Sequence, residues 1–318
     1  MKKTNYFRII ILLSLIFFGI GCKGQDKNRT QQTAVVDTLR IKNDLNTITQ
    51  TTESRNYKNI KTLNYIANFI ETEFSKVCDS VSLQEYKVEN ETYKNVIGSL
   101  NTDKKERIII GAHYDVYGEQ EGADDNASGV CGLLELARLL SKENLDYRID
   151  FVAYTLEEPP FFRTEQMGSY VHANYLFDNK IPIKGMICLE MIGYYNEQVD
   201  SQQYPIPAMK AVYGTKANFI TVVQNDESGN FGTQIEDLMK AQELIPTKSF
   251  KGSALVRGVD FSDHLNYWNL NYSAVMITNT SFYRNANYHT SKDVLGSINI
   301  QKMSAVIQQL YVSIKELK

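Results

Sequence analysis

The chain has 318 residues, with 34 Lys and Arg against 37 Asp and Glu and a formal net charge of −3. A composition of 43% hydrophobic and 22% charged residues is that of a globular protein and argues against a collagenous, coiled-coil or disordered chain. There is no basic excess to pair with phosphates, so nucleic acid is not expected as a partner, and single cores stop growing at roughly 250 to 300 residues, so one domain with an appendage is expected.

The N-terminus is a different material from the rest. Lys2, Lys3 and Arg8 flank an apolar run from Ile9 to Ile20, well short of the ~20 residues that a membrane-crossing helix needs. A positive start before a short apolar stretch reads as a signal peptide over residues 1–21. Gly19-Ile20-Gly21-Cys22 then resembles the lipobox of bacterial lipoproteins. That resemblance implies a lipidated Cys22 and a chain anchored to a membrane of the cell envelope. Gly19 stands where Leu is usual, and the other reading is an ordinary secretory signal with an incidental cysteine, which gives a periplasmic or secreted protein. Cleavage removes three positive side chains and takes the net charge from −3 to −6. Residues 22–35 have little to bury and read as a flexible tether. Of the remaining cysteines, Cys78, Cys131 and Cys188, at most two can pair. Cys131 and Cys188 lie in apolar runs and read as core.

Past the tether, Ile60, Leu63, Ile66, Phe69, Ile70, Phe74 and Val77 recur at steps of three and four, which predicts a long amphipathic helix. Alternation and β-branched content predict strands over 81–88 and 92–100. Residues 107–111, apolar after Arg107, form a run of the kind covered on both faces. The pattern then continues with a helix over 127–144, a strand over 149–155, a helix over 168–179, strands over 183–191 and 219–224, a helix over 232–242, a strand over 273–278 and a helix over 300–317. Alternating strands and helices predict an α/β three-layer sandwich with a mixed, mostly parallel central sheet, in a single domain over 36–318. The segments 194–216 and 247–266 read as insertions near the site.

In such a sheet ligands bind beyond the carboxyl ends of the strands, and the residues found there are of the types that hold metals. They are His113 and Asp115 after the first central run, Asp124 and Asp125 in Gly122-Ala123-Asp124-Asp125-Asn126-Ala127-Ser128-Gly129, Glu157 and Glu158, Glu190 in Cys188-Leu189-Glu190-Met191-Ile192-Gly193, and His289 in Tyr288-His289-Thr290. Two His and several carboxylates give the mixed nitrogen and oxygen ligation that suits zinc. A pair of metals requires a bridging carboxylate, and a glutamate beside the pair can take a proton from water.

These motifs, in this order, resemble the co-catalytic di-zinc aminopeptidases, which include secreted microbial leucine aminopeptidases and have glutaminyl cyclases as relatives. The resemblance spans about residues 90–295, and the twelve positions from His113 to Asp125 suit the single-domain members. It implies two zinc ions per chain, one held by His113, Asp125 and Glu190 and the other by Asp125, Glu158 and His289. It also implies a water shared by the two ions as nucleophile, Glu157 as general base, and peptides with a free N-terminus as substrates. The family usually carries Asp where Glu190 stands. Asp115 is expected to fix the His113 tautomer, and a cis peptide is expected between Asp125 and Asn126. Asp124 reads as a turn or cap residue. Asp263, in Ser262-Asp263-His264, reads either as a structural residue or as a member of the proton network. His172 reads as packing or surface, and Tyr194, Tyr195, Tyr283 and Tyr288 as pocket residues. Within enzymes the rival reading is a single-zinc glutaminyl cyclase; outside them it is a non-catalytic binding module on the same fold.

Overall fold

The computed structural model describes residues 34–318. The signal, the Cys22 anchor and nearly all of the tether therefore lie outside the described residues. Chain order gives helix α1 (Thr38–Thr49), α2 (Ile60–Ser75), strands β1 (Ser80–Val88), β2 (Glu91–Leu100) and β3 (Arg107–His113), then α3 (Gly129–Leu140), β4 (Arg148–Tyr154), α4 (Gly168–Asp178) and β5 (Ile183–Glu190). The second half holds a short α5 (Met209–Tyr213), β6 (Ile220–Gln224), α6 (Gly229–Gln242), β7 (Thr247–Lys251), a short α7 (His264–Trp268), β8 (Ala274–Thr278) and α8 (Ile300–Glu316).

All eight strands join one sheet in the order β1-β2-β4-β3-β5-β8-β6-β7. Its centre, β4-β3-β5-β8, is parallel, whereas β1-β2, β2-β4 and β6-β8 pair antiparallel. The central strands are buried beyond their first one or two residues, which is why they read as continuous apolar runs rather than alternating ones. Successive side chains still point to opposite faces. Ile109, Val152, Met186 and Met276 pack with Ala173 and Leu176 of α4 and with Tyr267 and Trp268 of α7. On the other side α3 packs against α8, α1 and α2, and α6 against α8.

Three expectations change. Helix α1 has an apolar stripe of Ile41, Leu45 and Ile48, all fully buried, but polar residues between them hide it from a local reading. It is tied to α3 by Arg40, whose Nε and Nη2 donate to Glu135 at 2.7 and 2.6 Å, and by Arg138, which bonds Asp44 at 2.5 Å and Glu73 at 2.8 Å. The stretch 247–266, expected to be an insertion, contributes β7 to the sheet edge, pairing with β6 from Thr247 to Lys251. Helix α3 begins at Gly129, two residues later than expected, because Asp125 and Asn126 leave helical geometry. Cys78, Cys131 and Cys188 are all free thiols.

Gly111 shows how tightly the sheet end is packed. A Cβ there would fall 2.3 Å from the ring of Tyr154, whose hydroxyl is locked at 2.7 Å to that of Tyr267. Gly111→Ala is therefore expected to destabilise the fold by about 1–3 kcal/mol through overpacking, read as a lower denaturation midpoint with an unchanged denaturant slope.

Candidate metal centre

The C-terminal ends of β3, β4, β5 and β8 lie side by side, and the loops leaving them carry the acids and imidazoles. His113 is the last residue of β3 and pairs in register with Tyr154, so Glu157 and Glu158 follow at the same rim. Glu190 is the last residue of β5 and pairs with Thr278 of β8. Asp125 stands in the irregular turn before α3, and His289 comes from the loop after β8.

Asp125 lies between two imidazoles. Its Oδ1 is 3.5 Å from His113 Nε2 and its Oδ2 is 3.1 Å from His289 Nε2. His113 Nε2 is also 3.3 Å from Glu190 Oε2 and 3.8 Å from Glu157 Oε2, while His289 Nε2 is 3.2 Å from Glu158 Oε2. The candidate donors form three overlapping groups: His113, Asp125 and Glu190; Asp125, Glu158 and His289; and His113, Glu157 and Glu158. Asp125, Glu157, Glu158, Glu190 and His113 are all at least nine-tenths buried. Yet Asp125 Oδ2, Glu158 Oε1 and His289 Nε2 have no aligned hydrogen-bond partner among the described residues. Buried polar atoms that converge without bonding one another are what a cation site looks like before its ion is counted.

The electrostatics agree. Burial, and then the Glu158 and Glu190 charges, push Glu157 well up, against the pull of His113. Burial and the Asp125 charge bring Glu158 up to about 7. Burial also raises Glu190. Only Asp125 is held below the usual carboxylate range, because its two imidazoles outweigh its burial. Against their own burial, His113 is raised by Glu157 and Glu190, and His289 is raised to about 10 by Asp125 and Glu158. Divalent cations between these groups would relieve every one of these repulsions at once, and the nitrogen and oxygen donor set fits zinc.

Supporting residues fix the arrangement. Asp115 Oδ1 lies 3.6 Å from His113 Nδ1, beyond hydrogen-bond reach. Its two oxygens instead accept the backbone amides of Glu157 and Glu158, each at 3.1 Å, so Asp115 sets the glutamate pair. Asp124 is a buried hub rather than a simple cap. It accepts from the amides of Gly193 and Tyr194 and from the side-chain amides of Asn279 and Asn285, at 2.8 to 3.1 Å. Asp263 is fully buried, its carboxylate has no aligned hydrogen bond among the described residues, and it is brought by burial up to about 7, with Glu190 and Asp115 adding to the rise. The Asp125-Asn126 peptide is cis. Leu156, Met191 and His289 take left-handed φ of 60°, 50° and 56°, a costly conformation for such side chains that tends to gather at functional sites.

Four supports carried no recognised signal. Asp293 accepts the amides of Asp124 and Asp125 at 2.9 and 3.0 Å. Arg55 is fully buried and donates to the carbonyls of Tyr114, Glu121 and Gly122, bracing the loop between His113 and Asp125. Ser262 donates to Glu190 Oε2 at 2.7 Å, and Tyr117 stacks on His289 at 4.2 Å. Asp293 stands four residues after His289, close enough to that motif to be findable; Arg55 was not. His172 is buried, with Nδ1 2.6 Å from the Tyr267 hydroxyl.

Beside the cluster opens a cavity of ≈ 220 Å³ whose apolar lining includes Phe219, Val223, Phe250, Val256, Met276 and Phe282. Tyr283 and Tyr288 line it; Tyr194 and Tyr195 do not, the hydroxyl of Tyr195 being turned back to the Ile192 carbonyl.

The sequence pattern of peptidase family M28 matches residues 95–313, which contain every one of the converging donors. The chain belongs to that family. It is 42% identical over 268 residues to the uncharacterized protein YfbL of Escherichia coli strain K12, covering 82% of each chain. It is 25% identical over 256 residues to a probable leucine aminopeptidase of Trichophyton verrucosum, covering 74% of this chain and 60% of that protein. A glutaminyl cyclase structure from Bacteroides thetaiotaomicron superposes with a TM-score of 0.68 over 90% of this chain and 100% of that one at 18% identity, a likeness of fold. Membership makes this M28 chain a peptidase-type hydrolase.

Asp293→Ala removes the acceptor of two amides that aim Asp125. It is expected to weaken zinc binding about 10- to 100-fold with the fold retained, as measured by competition with a chromophoric chelator.

Proposed function

We propose that the protein is a zinc-dependent aminopeptidase that binds two zinc ions and removes the N-terminal residue of peptides. The observation that carries this reading is the split of Asp125, with one carboxylate oxygen toward His113 and the other toward His289. That geometry supports His113, Asp125 and Glu190 as ligands of one ion and Asp125, Glu158 and His289 as ligands of the other. When bound, the ions supply Lewis-acid polarisation of the scissile carbonyl and acidify a water. Glu157 is in neither set of three, so its carboxylate is free to take the proton of the attacking water and hand it to the leaving nitrogen. Its amide is pinned by Asp115, which keeps that carboxylate aimed.

The acidic floor also explains an end-directed specificity. Glu157 and Glu190 both line the cavity and offer oxygens to a protonated α-amine, which an internal peptide bond lacks. The apolar wall then takes the side chain of the first residue. Export through the signal over residues 1–21, with a lipid tether at Cys22, completes the proposal and is supported by the sequence alone. Among the described residues no helix is long and apolar enough to cross a membrane.

The test combines metal analysis with kinetics. Two zinc ions per chain are expected, and His113→Ala or His289→Ala should each lower that stoichiometry. Glu157→Gln should keep zinc and fold while losing about 10²- to 10⁴-fold in kcat; unchanged turnover would remove Glu157 from the mechanism. Aminoacyl nitroanilides assayed beside peptides with N-terminal Gln separate this reading from a cyclase, for which one zinc and release of pyroglutamyl product are the contrary result.

A further inference from the structure

The wall of the cavity contains a cation with no acid of its own. Arg257 is exposed and lines the cavity. Among the described residues no carboxylate lies within ion-pair distance of it, and the acid of its own loop, Asp260, is paired to Arg163 at 2.5 Å. What holds the Arg257 guanidinium is an aromatic face, the ring of Phe282, 4.9 Å from its central carbon. Its backbone is fixed too. The Arg257 carbonyl accepts the Tyr283 hydroxyl at 3.0 Å, and Gly258, at φ +91°, brings the turn so close that a Cβ would fall 3.1 Å from Phe282.

Phe282 is one rung of a ladder that leads back to the cluster. Its ring lies 5.5 Å from Tyr288, and Tyr288 stacks at 3.8 Å on the imidazole of His289. His289, Tyr288, Phe282 and Arg257 all line the one cavity. The ladder is at most about 14 Å long from the His289 ring to the guanidinium, and an extended peptide advances about 3.3–3.6 Å per residue, so a chain of roughly four residues covers it. A stacked guanidinium keeps its N–H edges free, and their planar fork matches a carboxylate. The cavity thus has an anionic floor and a cationic rim, which is the polarity of a short zwitterionic peptide entering amine first.

We propose that Arg257 forms a subsite for the carboxylate of a short peptide, its C-terminus, so that di- to tetrapeptides are the favoured substrates. This rests on the aminopeptidase reading above for the direction in which the peptide lies. Arg257 touches none of the reacting atoms, so its contribution is to substrate affinity and appears in KM rather than kcat.

The test is equilibrium binding by calorimetry to the zinc-loaded Glu157→Gln protein, which does not consume the peptide. Leu-Gly-Gly is expected to bind about tenfold more tightly than Leu-Gly-Gly-amide, and a hexapeptide should show no such preference. Adding Arg257→Gln should bring acid and amide to equal affinity, and Arg257→Lys should restore part of the difference, the charge being kept and the fork lost. Leu-Gly-Glu-amide distinguishes the source: tight binding that Arg257→Gln abolishes would support the subsite with an acidic side chain as its ligand. Equal affinity for acid and amide, equal weakening of both by Arg257→Gln, or no binding of any of these peptides would overturn the proposal. Wild-type turnover of leucine nitroanilide, which has no carboxylate, is read separately. Its absence would sink the aminopeptidase reading, while an acid-over-amide preference would still establish the subsite.

Discussion

The cleft is organised by the cost of burying carboxylates closer together than their charges allow unaided. Two kinds of acid meet that cost in two ways. Asp115, Asp124 and Asp293 are held by N–H donors: each accepts two backbone amides, and Asp124 also accepts two side-chain amides. Among the described residues Asp125 Oδ2 and Glu158 Oε1 have no aligned donor, and both carboxylates lie against the His289 imidazole, Asp125 through Oδ2 and Glu158 through Oε2. The first three acids have both oxygens engaged by donors that the fold supplies, and the open ones have little else to bind. That division separates Asp115, Asp124 and Asp293 from Asp125 and Glu158 independently of any motif, while Glu190, which accepts from Ser262, and Asp263, whose two oxygens are both open, lie outside it.

The sheet makes the division possible. Parallel strands bring four carboxyl ends to one rim although the donors span positions 113 to 289 in the sequence. Each turn-off is then forced. Leu156 precedes the glutamate pair and Met191 follows Glu190, both in left-handed backbone, and the amide of Met191 is held by Asn126 Oδ1 at 3.1 Å. Asn126 is thus doubly used, because its side-chain nitrogen donates to the Leu189 carbonyl at 2.9 Å. The same residue that follows Asp125 in the chain aligns the end of β5, so the two donors are set relative to each other through one side chain.

What the sequence made legible has a common cause. The central strands are buried on both faces, so their apolar runs were unambiguous, and the donors follow those runs within a few residues. Periodicity found α2, α3, α4, α6 and α8, each of which buries apolar residues at steps of three or four. It missed α1, whose buried stripe is interrupted by charges that ion-pair to α3, and β7, an edge strand of half-exposed residues with the composition of a loop. The supports were missed for a different reason. Arg55 acts through three carbonyls some sixty positions away, and a backbone acceptor leaves no trace in composition. Tyr194 and Tyr195 were expected in the pocket on residue type, but the turn after β5 sends the Tyr195 hydroxyl into the core.

Glu190 is the clearest case of a local departure settled by distant packing. One additional methylene relative to Asp would carry a carboxylate at the end of β5 further across the rim, and in a close-packed site the displaced group needs its own partners. They are present. Ser262, from the segment leading into α7, donates to Glu190 Oε2 at 2.7 Å, and Asn126 Nδ2 lies 3.4 Å from the same oxygen. Ser262 is itself 3.2 Å from the Cys188 thiol, two residues before Glu190 on the same face of the strand. A shorter Asp would withdraw from both Ser262 and His113 by about the length of one carbon–carbon bond, leaving the serine hydroxyl with only a weak sulfur partner. The longer side chain and the serine that receives it are therefore one unit, joined across a sequence separation of 72, and the donor geometry belongs to the pair rather than to Glu190 alone.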